Sequence, residues 1–234
     1  MLRYVDAARE RTGVPVTLVH VLGAAVGRIL RAEPDINCRV VLGRIRPYPT
    51  CDVGFAVDIE GGRDLAPITV RRIDGKSPVD VAREVAAGAG RLRGGRDRHH
   101  RRSSGIVRWI PTPIMGFAFR VAGLLVGGLG IPAFGQPAFP LGGTFISNVG
   151  TLGLREAFLA PVPFARVPLY LAMGAVHDAA AVVDGVVIVR SEMVITATAD
   201  HRLIDGAHAG RIASRLQELL QDPAVLDETG QSIS

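Results

Sequence analysis

The sequence predicts an α+β domain: a mixed or mostly antiparallel sheet with helices on one side, plus a helical apolar insertion. Three observations lead there. Residues 17–33 and 207–220 each place apolar side chains at helical spacing. Short runs rich in β-branched residues are separated by turn signals, as at Gly43 and Asp184-Gly185. The two kinds of element do not alternate regularly, which argues against a doubly wound parallel sheet. A chain of 234 residues fits one domain spanning 1–234, with the insertion at about 96–140.

Residues 1–11 read as a polar helix that Gly13-Val14-Pro15 breaks. Thr17 can cap the second helix, whose apolar face is Leu18, Val21, Leu22, Ala25, Val26, Ile29 and Leu30. Pro34 stops it. His20, inside this helix, reads as a packed or surface side chain. Residues 38–42 and 44–46 flank Gly43 and can pair as short strands. Val53, Phe55, Val57 and Ile59 alternate with small or polar residues, as a half-buried strand does. A loop at 60–64 leads to a strand at 66–70. Ser77-Pro78-Val79-Asp80 then opens a helix that reaches Arg93, with an N-cap serine, proline in the first position and an acid in the first turn.

From 106 to 139 the chain turns apolar, after the basic run 91–102. Its most helical part, 114–129, contains Arg120 and four glycines. Three readings stay open for it. One is a helical hairpin packed on its own domain or across a subunit interface. Another is a membrane-surface helix, with contact through 96–134 led by Trp109. The third, a membrane span, is marginal because crossing a bilayer takes about 20 apolar residues. Beyond Gly142-Gly143, strands are expected at 144–148 and 170–176, then a hairpin of 182–184 with 186–190, then a last strand at 193–199. Pro161, Pro163 and Pro168 mark a rigid irregular segment between the first two.

Composition narrows the function classes. Apolar content is 48% but aromatic content only 5%, so stacking platforms for nucleic acid are sparse, and no nucleic-acid motif accompanies the net charge of +5. The charge fits anionic small molecules or lipid headgroups as well. Two cysteines, Cys38 and Cys51, make neither a disulfide framework nor a metal site, and read as reduced thiols in a cytoplasmic setting. No zinc spacing and no Gly-rich phosphate loop occurs in the sequence.

The chemistry gathers at Asp200-His201-Arg202-Leu203-Ile204-Asp205-Gly206, between the last strand and the last helix. A histidine at a strand end can serve as a positioned general base, because its near-neutral pKa lets it take and return a thiol or hydroxyl proton. Alone, His-x-x-x-Asp-Gly is equally a loop histidine beside a helix-capping aspartate. Upstream lie Leu141-Gly142-Gly143-Thr144-Phe145-Ile146-Ser147-Asn148-Val149-Gly150 and the run 182–190; downstream lies Leu219-Leu220-Gln221-Asp222-Pro223. In this order the segments resemble the catalytic domain of the dihydrolipoyl acyltransferases, the core subunits of 2-oxoacid dehydrogenase complexes. The similarity is dense from Gly142 to Leu226, looser from Val14 to Arg93, and absent over 96–140.

That resemblance implies a chloramphenicol acetyltransferase-like fold and coenzyme A-dependent transfer of an acyl group to or from a dihydrolipoyl-type thiol. His201 would be the base, its proton held on the inner ring nitrogen. Ser147 would donate to the oxyanion, and Asp205 would be mainly a structural orienter. It implies a trimer, or a multiple of one, with the active-site channel between subunits and the histidine and serine arriving from opposite sides. Coenzyme A would be a substrate, although no residue is assigned to hold it. The sequence departs from the family in having no Asp-Lys-Ala lipoyl-attachment sequence, no peripheral-subunit-binding segment, and a start partway into the domain. A separate lipoyl-domain protein would therefore be donor or acceptor. A second reading, of a different class, is an inactive or weakly active trimeric scaffold or a membrane-associated assembly protein of the same fold, located in the cytoplasm or peripheral to a membrane.

Overall fold

A computed structural model describes residues 1–58, 65–93 and 112–228. The basic run 96–102 and Trp109 lie outside them. The elements are α1 (Leu2–Thr12), α2 (Leu18–Ala32), β1 (Cys38–Val41), β2 (Arg44–Pro47), β3 (Val53–Asp58), β4 (Leu65–Val70), α3 (Pro78–Arg93), α4 (Thr112–Ala122), a π-helix (Gly123–Leu129), β5 (Thr144–Asn148), β6 (Leu169–Met173), β7 (His177–Val183), β8 (Val186–Glu192), β9 (Ile195–Ala199) and α5 (Gly206–Gln221). The architecture is the α+β class expected.

The main sheet runs β4-β3-β5-β6-β9. Its centre is parallel, β3 beside β5 and β5 beside β6, while β4 and β9 are antiparallel edges. The sheet is therefore mixed. Helix α2 is the core helix: it packs against α3, α5 and the strands β3 and β5. Every residue from His20 to Leu30 is buried. Close approach is what its glycines supply. A β-carbon on Gly23 would fall 2.4 Å from the Phe55 ring, and one on Gly27 would fall 2.9 Å from the backbone of Ile73.

Local signals carried the other elements. Ser77 Oγ donates to Asp80 Oδ2 (2.7 Å) and accepts from the Asp80 N–H (3.2 Å), closing a reciprocal cap on α3. Leu42-Gly43 and Asp184-Gly185 both have positive φ, the backbone that tight hairpins need, and they join β1 to β2 and β7 to β8. Strands β6, β7 and β9 differ from expectation; β9 begins at Ile195 rather than at 193. β6 stops at Met173, not Val176, because a β-carbon on Gly174 would fall 1.9 Å from Arg155 O, so the chain leaves the ladder for that close crossing. β7 starts at His177, so the hairpin is longer than 182–190.

The insertion is part packed and part exposed. Arg39 Nε donates to Gly128 O (2.8 Å), and Arg166 donates to Gly123 O (3.1 Å) and Val40 O (2.6 Å). The Arg39 guanidinium lies over the rings of Tyr48 and Phe139, with centroids 4.9 and 4.5 Å away. The glycines of the π-helix let it press on the 164–165 backbone: a β-carbon on Gly127 would fall 2.3 Å from Phe164 O. No helix among the described residues is long and apolar enough to cross a membrane.

His20 gives this core a pH dependence. Its Nδ1 accepts from the Thr17 N–H at 3.0 Å, and burial, with Arg9 nearby, pushes its pKa down to about 4. The unfolded chain takes a proton near pH 6.5, which the folded chain refuses until about pH 4. Stability is thus full above that window and falls as pH drops through it, by about 2 kcal/mol from this residue at about pH 5. Urea midpoints of the wild type and His20→Gln, compared at neutral and mildly acidic pH, measure this. Equal acid sensitivity in the two would mean His20 contributes none of it.

Candidate active site

The His201 loop is fixed on both sides of the histidine. The Asp200 N–H donates to Pro168 O (2.8 Å), and Asp200 O accepts from the N–H groups of Leu203 (2.9 Å) and Ile204 (3.0 Å). The Asp200 carboxylate accepts from the Arg202 backbone N–H (3.1 Å) and from its side chain, Nε at 2.9 Å and Nη2 at 2.6 Å. This bonding holds Asp200 below the usual carboxylate range. Leu203 and Ile204 are buried and root the loop in the core. His201 sits between these anchors, exposed to solvent, its ring without a hydrogen bond among the described residues.

Asp205 is the N-cap of α5. Its Oδ1 accepts from the His208 N–H (2.9 Å) and lies 2.6 Å from His208 Nδ1. These contacts, the backbone N–H first, hold its pKa below the usual range. As the cap it fixes the start of α5 directly after the His201 loop. His208 escaped the sequence reading; the signal available was an acid three residues before a histidine at a helix start.

Ser147 lies on β5, the middle strand of the sheet, and is 8% exposed. Both ends of β5 are fixed by backbone crossings. Gly143 N–H donates to Asp52 O (2.8 Å), and Gly142, at φ +71°, approaches so closely that a β-carbon would sit 2.3 Å from that oxygen. Asp52 in turn accepts from Arg71 Nη1 (2.7 Å) and the Arg72 N–H (2.8 Å), and Arg71 also donates to Ala138 O (2.7 Å). At the other end Asn148 Oδ1 accepts from the Gly150 N–H (3.1 Å). A β-carbon on Gly150 would fall 2.7 Å from the Gly174–Ala175 backbone.

Asp205 and His201 share one loop, but Ser147 is remote from both. One row across the sheet is Ser147, Ala172, Thr196; another is Thr144, Leu169, Ala199. These rows are three residues apart, about 10 Å along the strands, and β9 lies two strands from β5, about 10 Å across. His201 is beyond that end of β9. The serine and histidine of one chain therefore cannot reach the same carbonyl. An apolar cleft of about 1360 Å³, lined by Leu169, Ile195, Ala197, Ile204, Ile212 and Leu216 among others, includes neither of them.

Comparison with known proteins places these features. Residues 140–227 match the family model for the 2-oxoacid dehydrogenases acyltransferase (catalytic domain). The chain resembles that catalytic domain. The match coincides with the stretch where the sequence resemblance is dense. The succinyltransferase component of the 2-oxoglutarate dehydrogenase complex of Bartonella vinsonii subsp. berkhoffii is 38% identical over 222 residues, covering 94% of this chain and 44% of that protein. The chain spans less than half the length of the curated relatives it matches across most of its own length. Two solved structures share the acyltransferase-domain fold. A probable dihydrolipoamide acetyltransferase from Listeria monocytogenes superposes with a TM-score of 0.68 at 18% identity, over 94% of this chain and 78% of that one. The Azotobacter vinelandii dihydrolipoamide acetyltransferase gives 0.65 at 23%, over 95% and 76%, in a study of the roles of a serine, a histidine and an asparagine in its catalytic mechanism.

Proposed function

We propose that this protein is an acyltransferase that moves an acyl group between the thiol of coenzyme A and a dihydrolipoyl-type thiol, at sites built from two copies of the chain. The observation carrying this reading is a fixed but solvent-facing His201 on a loop of the acyltransferase-domain type. His201 takes the proton of the attacking thiol, whose free pKa near 8.5 leaves it mostly protonated at neutral pH. The thiolate adds to the thioester carbonyl, and Ser147 of a second copy donates its hydroxyl to the oxyanion. Collapse of the tetrahedral intermediate expels the other thiolate, which regains the proton from His201. Asp205 and the Asp200–Arg202 pair act as positioning residues for the loop.

Several features support assembly as a trimer or a multiple of it. Ser147 and His201 cannot meet within one chain. β9 is an edge strand beside an apolar cleft. The β7–β8 hairpin exposes Val187 (70%) and Val189 (77%), apolar surface that a monomer rarely leaves open. Cys38 and Cys51 are both free thiols, which suits a cytoplasmic setting.

A thiol-exchange assay with acetyl- or succinyl-coenzyme A and dihydrolipoamide tests the activity, and light scattering of the same sample tests the assembly. Turnover by a trimeric species is expected. A folded trimer without turnover on either donor would favour the scaffold reading, and an active monomer would end the shared-site model.

A further inference from the structure

Helix α4 and the tip of the β1–β2 hairpin are exposed and apolar with no role in acyl transfer. Phe117 is 70% exposed and Phe119 is also exposed, although two residues apart on a helix they lie on different sides. A helix apolar on opposite sides is buried in something. The hairpin tip adds to this. Leu42 is 78% exposed at φ +50°, a backbone position where asparagine, aspartate or glycine is the ordinary choice. The chain thus carries a strained leucine at a turn that presents it to solvent. Leu42, Arg44 and Arg46 line one groove of about 600 Å³ with Gly128 and Leu129, at the end of the π-helix that continues α4.

The charge around this surface has one sign. Arg44 and Arg46 alternate with exposed Ile45 on β2, and Arg120 is exposed on α4. From Arg98 to Arg155 the sequence contains no aspartate or glutamate, and from Ile36 to Cys51 none either.

We infer that the face made by the β1–β2 tip and the end of the π-helix, where Leu42, Arg44 and Arg46 meet Leu129, docks on an anionic lipid bilayer. Protruding apolar side chains flanked by arginine suit a fluid surface that closes around them, with the guanidinium groups left at the headgroup level. Nucleic acid would meet the arginines but leave Leu42, Ile45 and Leu129 exposed. The inference does not rest on the acyl-transfer reading, because the readout is partitioning. The sequence suggested contact through 96–134; residues 94–111 are outside the described structure, and the surface argued here does not include them.

The test is co-sedimentation of the full chain with phosphatidylcholine vesicles, with and without phosphatidylglycerol, at low and high salt. Binding to the anionic vesicles at low salt is expected, with loss at high salt. Arg44→Gln combined with Arg46→Gln should weaken it about thirtyfold. Leu42→Asn combined with Ile45→Thr should weaken it about a hundredfold or more; both replacements suit their backbone, so the fold, checked by circular dichroism, is kept. Absence of binding by folded wild type at low salt overturns the inference. So does binding that the two double variants leave unchanged. If wild type stays in solution and the Leu42/Ile45 variant instead lowers the mass seen by light scattering, the face is a contact between copies of this chain and the lipid assignment is wrong.

Discussion

His201→Ala is expected to lower thiol-to-thiol acyl transfer by about a hundredfold or more while leaving the unfolding midpoint near the wild-type value. A general base contributes on that order, and His201 is exposed and makes no hydrogen bond among the described residues that its loss would break. Ser147→Ala should act through the oxyanion with a loss of similar order. The stronger result concerns the pair. If each site takes its serine from one chain and its histidine from the next, co-expressed Ser147→Ala and His201→Ala chains assemble some sites with both groups intact. In a randomly mixed closed ring, about a quarter of the interfaces combine the intact halves, so about a quarter of wild-type activity should return. No recovery from a mixed assembly whose separate variants are inert would place both residues of a site in one chain. Full activity in His201→Ala would remove it as the base.

Asp52→Ala is expected to cost about 3 kcal/mol of folding stability. The Asp52 side chain is 4% exposed and paired with Arg71 at 2.7 Å, and breaking a buried pair costs about 3–5 kcal/mol. Arg71 is 41% exposed and regains water, which puts the estimate at the low end. The loss also frees the Arg72 N–H; the Gly143 N–H keeps the Asp52 backbone oxygen, but the segment carrying that oxygen, beside the start of β5 and hence Ser147, loses its side-chain anchor. Urea unfolding and the assay above should move together in this variant. A stability change under about 1 kcal/mol would mean that the pair behaves as a surface ion pair.

These two variants mark the boundary of what the sequence reveals. Secondary structure was legible where a short-range signal specifies it. Ser77-Pro78 starts α3, Pro34 stops α2, Asp205 caps α5, and the glycine turns join the hairpins. The Asp200–Arg202 pair in the His201 loop is local in the same sense, its members two residues apart. Long-range matters were not. The Asp52–Arg71 anchor, the crossing of Gly174 over Arg155 O and the distance of Ser147 from His201 all depend on strand order, which no local pattern encodes. The glycines of 123–128 looked like weak helix; their use is to let a π-helix lie against the 164–165 backbone. The resemblance to the acyltransferases implies serine and histidine from opposite sides, and the register of β5, β6 and β9 adds that the two lie far apart within one chain.

The width of the sheet has a kinetic consequence. In the arrangement proposed, a lone chain holds half of one pocket at Ser147 and half of another at His201, and no complete pocket. Turnover per chain then depends on how much protein is present: it holds steady while rings persist and falls more steeply than linearly once dilution takes them apart. Enzyme diluted below its assembly range and then concentrated again should recover at the rate of reassembly rather than of refolding. The same geometry makes the β-sheet the spacer between neighbouring pockets, their separation set by hydrogen-bonded strands rather than by flexible loops.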